Sequence, residues 1–357
     1  MRKNIIWRIS MLLIIVLLVS VVGCSADDSQ PQVVEDGDRI DLTLNLAHFF
    51  PATHPAETEL VQGWAAAIEE ATDGQIKVIS YPQGTLLAAE AIYDGVVSEI
   101  AHIGVSCFSY TRGRFPLLEA FELPVIVYNN SRVASKVAWE GIQELNPDEV
   151  QDTKLMMVLA TGPGDLFTKT PVRTLEDLQG MEIRATGLSA KTLEVLGATP
   201  VAMSQAEAYE SLQRGVVQGN LSPLEVLQGW KHAEVTDYLT LTPFLYNTLF
   251  FMTMNQDTWD SIPPHLQEAI EEVNEKFFEE VAMSLWDVQN ESGLKYAVEE
   301  EGLEVITLSD EETARWKQKA EPVLEDFLKE MEEKGLSGSE ALEIVKRLAD
   351  QYNEVYK

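Results

Sequence analysis

The hydrophobic positions of this chain change period several times, and each change marks an element. From Ile40 to Phe50, "IDLTLNLAHFF" alternates apolar and polar residues, the period-two pattern of a strand with one buried face. "HPAETELVQGWAAAIEEATDG" then sets Leu60, Trp64, Ala67 and Ile68 on one helical face, with Pro55 at the start and Gly74 past the end. A second strand ("QIKVISYP"), a second helix ("LLAAEAIYDGVVSE") and a third strand ("IAHIGVS") complete a β-α-β-α-β order. That order predicts an α/β sheet with crossover helices.

After a linking region the alternation resumes. "KLMMVLAT" reads as a strand, "TLEDLQG" as a short helix closed by Gly180, "MEIRAT" as a strand, and "SAKTLEVLGA" as a helix stopped by Gly197. "TPVAMS" is a further strand, and "SQAEAYESLQRG" a helix opened by a capping box, Ser204 with Glu207. "LTLTPFLY" and "TLFFMTMN" add strand material. Two such blocks in series predict two α/β domains with a cleft between them.

From Pro264 to about Glu301, Leu266, Ile270, Val273, Phe277, Val281, Leu285 and Val288 recur three or four apart. One helix of this length spans on the order of 55 Å, enough to brace both domains. A bend is expected near Ser292 and Gly293. Charged residues interrupt any strict heptad, against a coiled coil. "LEVITL" and two amphipathic segments close the chain, and no repeat of roughly 20 to 50 residues is visible.

Composition narrows the function. Of 357 residues, 45% are hydrophobic and 24% charged, enough apolar material for a real core. The formal charge of −32 comes without any basic cluster, which disfavours nucleic acid as a partner because the field repels phosphates. At the N-terminus, Arg2, Lys3 and Arg8 precede the apolar run Ile9 to Val22, a signal-type h-region too short for a membrane span. It ends in "VVGC", which resembles the bacterial lipobox, with Cys24 as the residue to be lipidated; an uncleaved anchor is the alternative. Cleavage would remove three cations and take the charge to −35. "SADDSQPQVVEDGD" follows as a polar, acidic tether. The other cysteine, Cys107, has no disulfide partner within the mature chain and is expected to be a buried small hydrophobe.

Catalytic chemistry has little support. The five histidines have no metal-ligand spacing, and no nucleophile elbow, dinucleotide turn or P-loop is present. With 58 acidic residues, chance carboxylate pairs are inevitable and single out no acid–base couple. An enzyme, a resident metal and a cofactor are all disfavoured.

The blocks "DLQGMEIR", "LGATPV", "EAYESLQRGVV" and "KHAEVTDYLTLT" resemble the dicarboxylate-type solute-binding proteins of tripartite ATP-independent periplasmic (TRAP) transporters. "ISYPQGTL", "GVVSEIAHIGVS", "FPLLEAFELP" and "MNQDTWDSIPPHLQEAI" fit the same family, so the resemblance covers nearly all of Ile40 to Leu308. It implies a two-domain periplasmic-binding-protein-like α/β fold with an interdomain cleft and a long bridging helix. The expected parts are a signal peptide over 1–23, a tether over 24–39, domain I over 40–160 and 249–288, domain II over 161–248 and 289–325, and C-terminal helices over 326–357. It also implies hinge closure around a small organic acid, delivery to the membrane permease subunits, no cofactor and no chemistry. Alternatives on the same scaffold are a binding module for sensing or for an ATP-driven importer; a secreted hydrolase lacks a nucleophile motif.

In the family the signature arginine ends the strand of "DLxGxKIR", and Arg184 stands there. A planar guanidinium grips a carboxylate with two parallel hydrogen bonds; pairing with one of the many acidic neighbours is the alternative. The resemblance places Gln205, at a helix start, where many relatives carry a ligand-packing aromatic, so it is either a polar ligand contact or solvent-facing. In "VVQGNLSPLE", Asn220 takes the family's glutamine position and Ser222 replaces its usual asparagine; Asn220 is a ligand contact or a turn residue. Where many relatives carry a second arginine, this chain has Gly164, Asp165 and Leu166, which points to a monocarboxylate. Phe167 packs on the ligand body or in the core. Phe49, Ser106 and Phe108 follow strand ends, the usual place for ligand contacts in open α/β sheets. Trp230 reads as a packing anchor, and His102 has no assigned role.

Overall fold

The computed structural model describes residues 39–357, of which Thr43–Lys357 form one compact unit. Cys24, the signal segment and nearly all of the tether lie outside the described residues.

Two mixed sheets organise that unit. The first is built from β1 (Leu42–His48), β2 (Ile76–Tyr81), β3 (Ile103–Cys107), β4 (Thr153–Ala160) and β10 (Leu249–Asn255), in the order β2-β1-β3-β10-β4. β1 and β3 run parallel, whereas β10 is antiparallel to both β3 and β4. The second is built from β5 (Asp165–Thr168), β6 (Glu182–Ala185), β7 (Thr199–Ala202), β8 (Gly219–Ser222), β9 (Tyr238–Leu241) and β11 (Glu304–Thr307), in the order β11-β9-β5-β8-β6-β7. Leu166, Ile183, Ala185, Leu193, Leu221 and Trp316 form one apolar core on this sheet; Phe167, Val226, Leu227 and Leu239 form a second.

Several punctuation marks act as the sequence predicts. The Ser204–Glu207 capping box opens Gln205–Arg214, and Gly197, at φ +100°, ends Gly187–Leu196. Other expectations need correction. The linking region holds a 15-residue helix, Ser131–Leu145, capped by Asn130 and ended by Asn146 in the left-handed region. The long helix is two helices, Pro264–Glu280 and Leu285–Glu299, separated by a short 3₁₀ turn, Ala282–Ser284. The break serves tertiary contacts: Asp287 accepts from the Ser131 and Arg132 N–H groups, at 2.7 and 3.3 Å, at the start of Ser131–Leu145. Beyond it the buried face re-phases to Trp286, Gln289, Gly293 and Ala297, leaving Val288 72% exposed. Gly293 does not bend the chain. It admits the Leu224 carbonyl, which a Cβ there would meet at 2.5 Å.

Two connections cross between the sheets beside the site, 161–164 and 242–248. They pair with each other: Thr161 N–H donates to Thr248 O (3.1 Å), Thr248 N–H to Thr161 Oγ1 (3.2 Å) and Gly164 N–H to Tyr246 O (3.1 Å).

Candidate functional site

Strand alternation builds one polar face on the second sheet. Ile183 and Ala185 of β6 and Leu221 of β8 point into the core, so Arg184, Asn220 and Ser222 share the opposite face. The parallel β6–β8 register sets Arg184 beside Asn220. Arg184, 1% exposed, is held by neutral oxygens: Nε donates to Met203 O at 3.0 Å, Nη1 to Ser222 Oγ at 3.1 Å and Asn220 Oδ1 at 3.4 Å, and Nη2 to Tyr110 OH at 3.3 Å. Among the described residues no carboxylate forms an ion pair with it, although 19 ion pairs occur elsewhere and most are exposed. The acidic-neighbour alternative is therefore not what the chain adopts. An isolated buried cation of this kind is costly unless something anionic joins it.

His232 underpins the same face. It is fully buried, and burial, aided by the Arg184 charge, lowers its pKa to about 3. The ring is thus neutral and carries one proton, yet both nitrogens face amide groups: Nε2 lies 3.1 Å from Gln205 Nε2 and Nδ1 lies 3.0 Å from Asn220 Nδ2. Asn220 is fixed because its Oδ1 receives Arg184 and the Ser222 hydroxyl (3.0 Å), so its NH₂ donates to Nδ1. Nε2–H must then donate to an oxygen. The consistent assignment turns the Gln205 amide by 180°, so that its NH₂ faces Ser222 Oγ, and every member is satisfied.

The first sheet supplies the opposing wall. Tyr110, in the 3₁₀ turn Phe108–Tyr110 after β3, accepts from Arg184 and from the Gln205 backbone N–H (2.9 Å). Phe49 stacks at 4.4 Å on Phe50, at 6.0 Å on Trp230 and at 6.3 Å on Phe250, and meets Tyr110 edge-on at 5.3 Å. These rings, with Thr161, Thr186, Tyr246, Thr248, Cys107 and Glu225, line a slot that includes Arg184 and Gln205. Its volume is about 20 Å³ for the centre of a water-sized sphere, room for roughly one water, so a larger molecule requires the walls to part. Burial pushes the Cys107 thiol and the Tyr110 hydroxyl well above their usual pKa values, and both stay neutral.

The structure thus brings Arg184, Asn220, Gln205 and Phe49 together, three of them at one slot and Asn220 directly behind Arg184. It does not bring Ser106, Phe108 or Phe167 there. Ser106 turns to the Ala89 carbonyl (2.9 Å), and Phe108 packs on Phe115 and Phe251. Ser106 is out by one position, because along β3 alternate residues face opposite sides and Cys107 takes the slot side, whereas Phe108 opens the 3₁₀ turn that carries Tyr110 to the slot. Phe167 is fully buried in the second sheet's core. Trp230 both packs on that core and lines the slot. The place of the second arginine is filled: a Cβ at Gly164 would fall 2.4 Å from the Tyr246 ring, Asp165 accepts from Thr242 N–H, and Leu166 is core. Among the slot-lining residues Arg184 is the one cation. His102 accepts from the Asn45 N–H through Nδ1 (2.9 Å), a structural tie between adjacent strands of the first sheet.

Two α/β lobes that close over a buried, unpaired arginine and an aromatic wall define a two-lobed solute-binding protein. Residues 46–331 match the profile of the family described as "Bacterial extracellular solute-binding protein, family 7" (DctP), and the chain belongs to that family, one of binding proteins rather than enzymes. Among solved structures, a TRAP periplasmic solute-binding protein of Desulfovibrio salexigens is 33% identical, with a TM-score of 0.75 over 87% of this chain and 97% of that one. A marine-metagenome TRAP solute-binding protein specific for aromatic acid ligands, crystallised with 3-hydroxybenzoate, is 29% identical, with a TM-score of 0.83 over 87% and 99%. The 2,3-diketo-L-gulonate-binding periplasmic protein YiaO of Escherichia coli is 25% identical over 57% of this chain and 63% of its own length.

Proposed function

We propose that this chain is the extracytoplasmic binding component of a TRAP transporter, capturing one aromatic monocarboxylic acid by hinge closure and presenting it to the membrane permease subunits. Domain I would span 40–160 and 249–288, and domain II 161–248 and 289–325. The observation that carries the reading is Arg184, desolvated, oriented by neutral oxygens and without a carboxylate partner among the described residues. A ligand carboxylate supplies the missing charge and accepts from the Nη2 N–H that the protein's own four bonds leave over. The filled space at Gly164 argues for a single carboxylate. Phe49, Phe50, Trp230 and Phe250 offer faces to a planar ring. The aromatic-acid specificity of the 29% identical neighbour supports the same choice. Because the slot is narrow, the ring enters with the lobes apart, and closure restores the Tyr110 bonds to Arg184 and Gln205. Titration calorimetry of the purified chain checks this: benzoate, phenylacetate and mandelate bind, while succinate, malate and neutral sugars do not. Binding of diacids or sugars alone overturns it.

We further propose that cleavage after residue 23 leaves Cys24 lipidated and the chain tethered to the membrane through 24–39. Cells fed a labelled fatty acid should label the wild type and not Cys24→Ala, and the wild type should have lost residues 1–23. An unlabelled wild type that keeps residues 1–23 would favour the uncleaved anchor.

A further inference from the structure

One acid lines the slot, and no ion pair joins it to the arginine among the described residues. Of the deeply buried carboxylates, Glu57 is spent on His48, Ser80 and Gln62, Glu122 on the Leu249 N–H, and Asp165 on the Thr242 N–H. Glu225 alone lines the slot, and no ion pair joins it to Arg184. Its backbone is pinned: Glu225 N–H donates to Asn290 Oδ1 at 2.9 Å, and Leu224 packs on Gly293.

The carboxylate is also held, at the boundary between this slot and a second groove that Glu225 lines with His54 and Gly229. His54 Nδ1 accepts from the Ala56 N–H at 3.0 Å, so the ring proton is on Nε2, which donates to Glu225 Oε2 at 3.0 Å. His54 is itself held by a stack on Phe50, with centroids 5.0 Å apart. One carboxylate oxygen is therefore committed, while Oε1 takes no hydrogen bond among the described residues. Glu225 is 4% exposed as a residue, and a carboxylate oxygen with spare acceptor capacity in such a place is complemented by a donor and disfavours a ligand group that cannot donate.

On the reading of the site as an aromatic-acid receptor, we propose that Glu225 Oε1 accepts a hydrogen bond from a hydroxyl or amino group on the ligand ring, making the preferred ligand a ring-substituted aromatic acid. Arg184 grips the carboxylate, the stacked rings flank the plane, and Glu225 reads the substituent. The discrimination is asymmetric. A site built around a buried acceptor rejects an analogue without the donor more strongly than an apolar pocket rejects an added methyl group.

Calorimetry with benzoate, 3-hydroxybenzoate, 3-aminobenzoate and 3-methoxybenzoate tests this on wild type and Glu225→Leu. The hydroxy acid, the amino acid or both should bind wild type at least tenfold more tightly than benzoate, and whichever gains identifies the donor; the methoxy acid, which cannot donate, should show no gain. In Glu225→Leu the ratio of the hydroxy- or amino-acid affinity to that of benzoate should fall to within about threefold of one, whereas a merely structural role would weaken all four acids alike and leave that ratio at its wild-type value. The wild-type comparison stands even if the variant does not fold. Benzoate binding without a hydroxy or amino preference overturns the role of Glu225 and leaves the aromatic-acid reading intact. A preference surviving in Glu225→Leu overturns it equally. Failure of all four acids to bind overturns both.

Discussion

Replacing Arg184 with Leu should abolish ligand binding without lowering the melting temperature of the ligand-free protein. The two effects separate because the residue is charged but unpaired by the protein. Its guanidinium is 1% exposed, and its partners are one backbone carbonyl, one amide oxygen and two hydroxyls. Those bonds contribute, but the ion's desolvation costs several kcal/mol, and an apolar side chain of similar volume removes both terms. Binding has no such offset. Truncating one member of a buried, hydrogen-bonded charge pair costs about 3–5 kcal/mol, which is a loss of between roughly 10² and several times 10³ in affinity. Arg184→Lys should lie between, since it keeps the charge but loses the fork and the reach to Met203 O. Calorimetry with benzoate, alongside thermal melts of the ligand-free variants, measures both halves. Wild-type affinity in Arg184→Leu would remove Arg184 from the site. A large drop in melting temperature would make it structural instead.

Much of this site is written locally. "EIRA" alternates core and polar positions, and that is enough to put Arg184 on the polar face of its strand; "NLS" reads as a loop or turn, and only the pairing of β8 with β6 sets Asn220 and Ser222 on the same face. Register decides the rest, and register is not local. Ser106 misses the slot because one residue along a strand moves a side chain to the opposite face, and Phe108 misses it because β3 has already ended and the chain turns there. Phe167 sits in a segment that the periodicity assigns to no element, which leaves ligand and core equally open to it, yet β5 is a central strand paired on both sides, to β8 and β9. Tyr110, His232 and Glu225 carry no motif, because each acts through a partner 12 to 171 residues away: Asn220 for His232, Arg184 for Tyr110 and His54 for Glu225. The break after Glu280 is similarly invisible, since no proline or glycine marks it and Asp287 acts on a helix 156 residues earlier in the chain. Periodicity sees which face an element buries. It does not see what that face meets.

The second large effect is on stability and depends on pH. Glu122→Gln should raise the melting temperature at pH 8 by several degrees and change it little at pH 5. Glu122 ends the turn Leu117–Glu122 and is buried where its Oε1 accepts from the Leu249 N–H at 2.7 Å, at the end of the 242–248 crossing between the sheets. Burial, opposed by that hydrogen bond, raises its pKa from 4.5 to about 8. The folded protein therefore holds a proton that the unfolded chain releases above its own value. The stabilisation is complete below pH 4.5, shrinks as pH rises beyond it and is lost on passing through about 8. Over that window the slope approaches about 1.4 kcal/mol per pH unit, an order-of-magnitude figure. Asp165, raised by burial to about 7, acts in the same direction from a lower starting point, so the wild type should lose stability steadily from pH 5 to pH 8. Glutamine keeps the carbonyl acceptor for Leu249 and has no proton to lose, so the variant should show a shallower slope and the gap between the two proteins should widen with pH. Melts in one buffer series at pH 5, 6, 7 and 8 decide it. A gap that stays constant would mean that Glu122 is ionised throughout, and the slope would then belong to Asp165, whose replacement by Asn should flatten it. Because Glu122 anchors a connection between the lobes, the same melts repeated with saturating ligand have a definite expectation. Ligand should raise both proteins equally at a given pH, since the Glu122 carboxylate does not line the Arg184 slot.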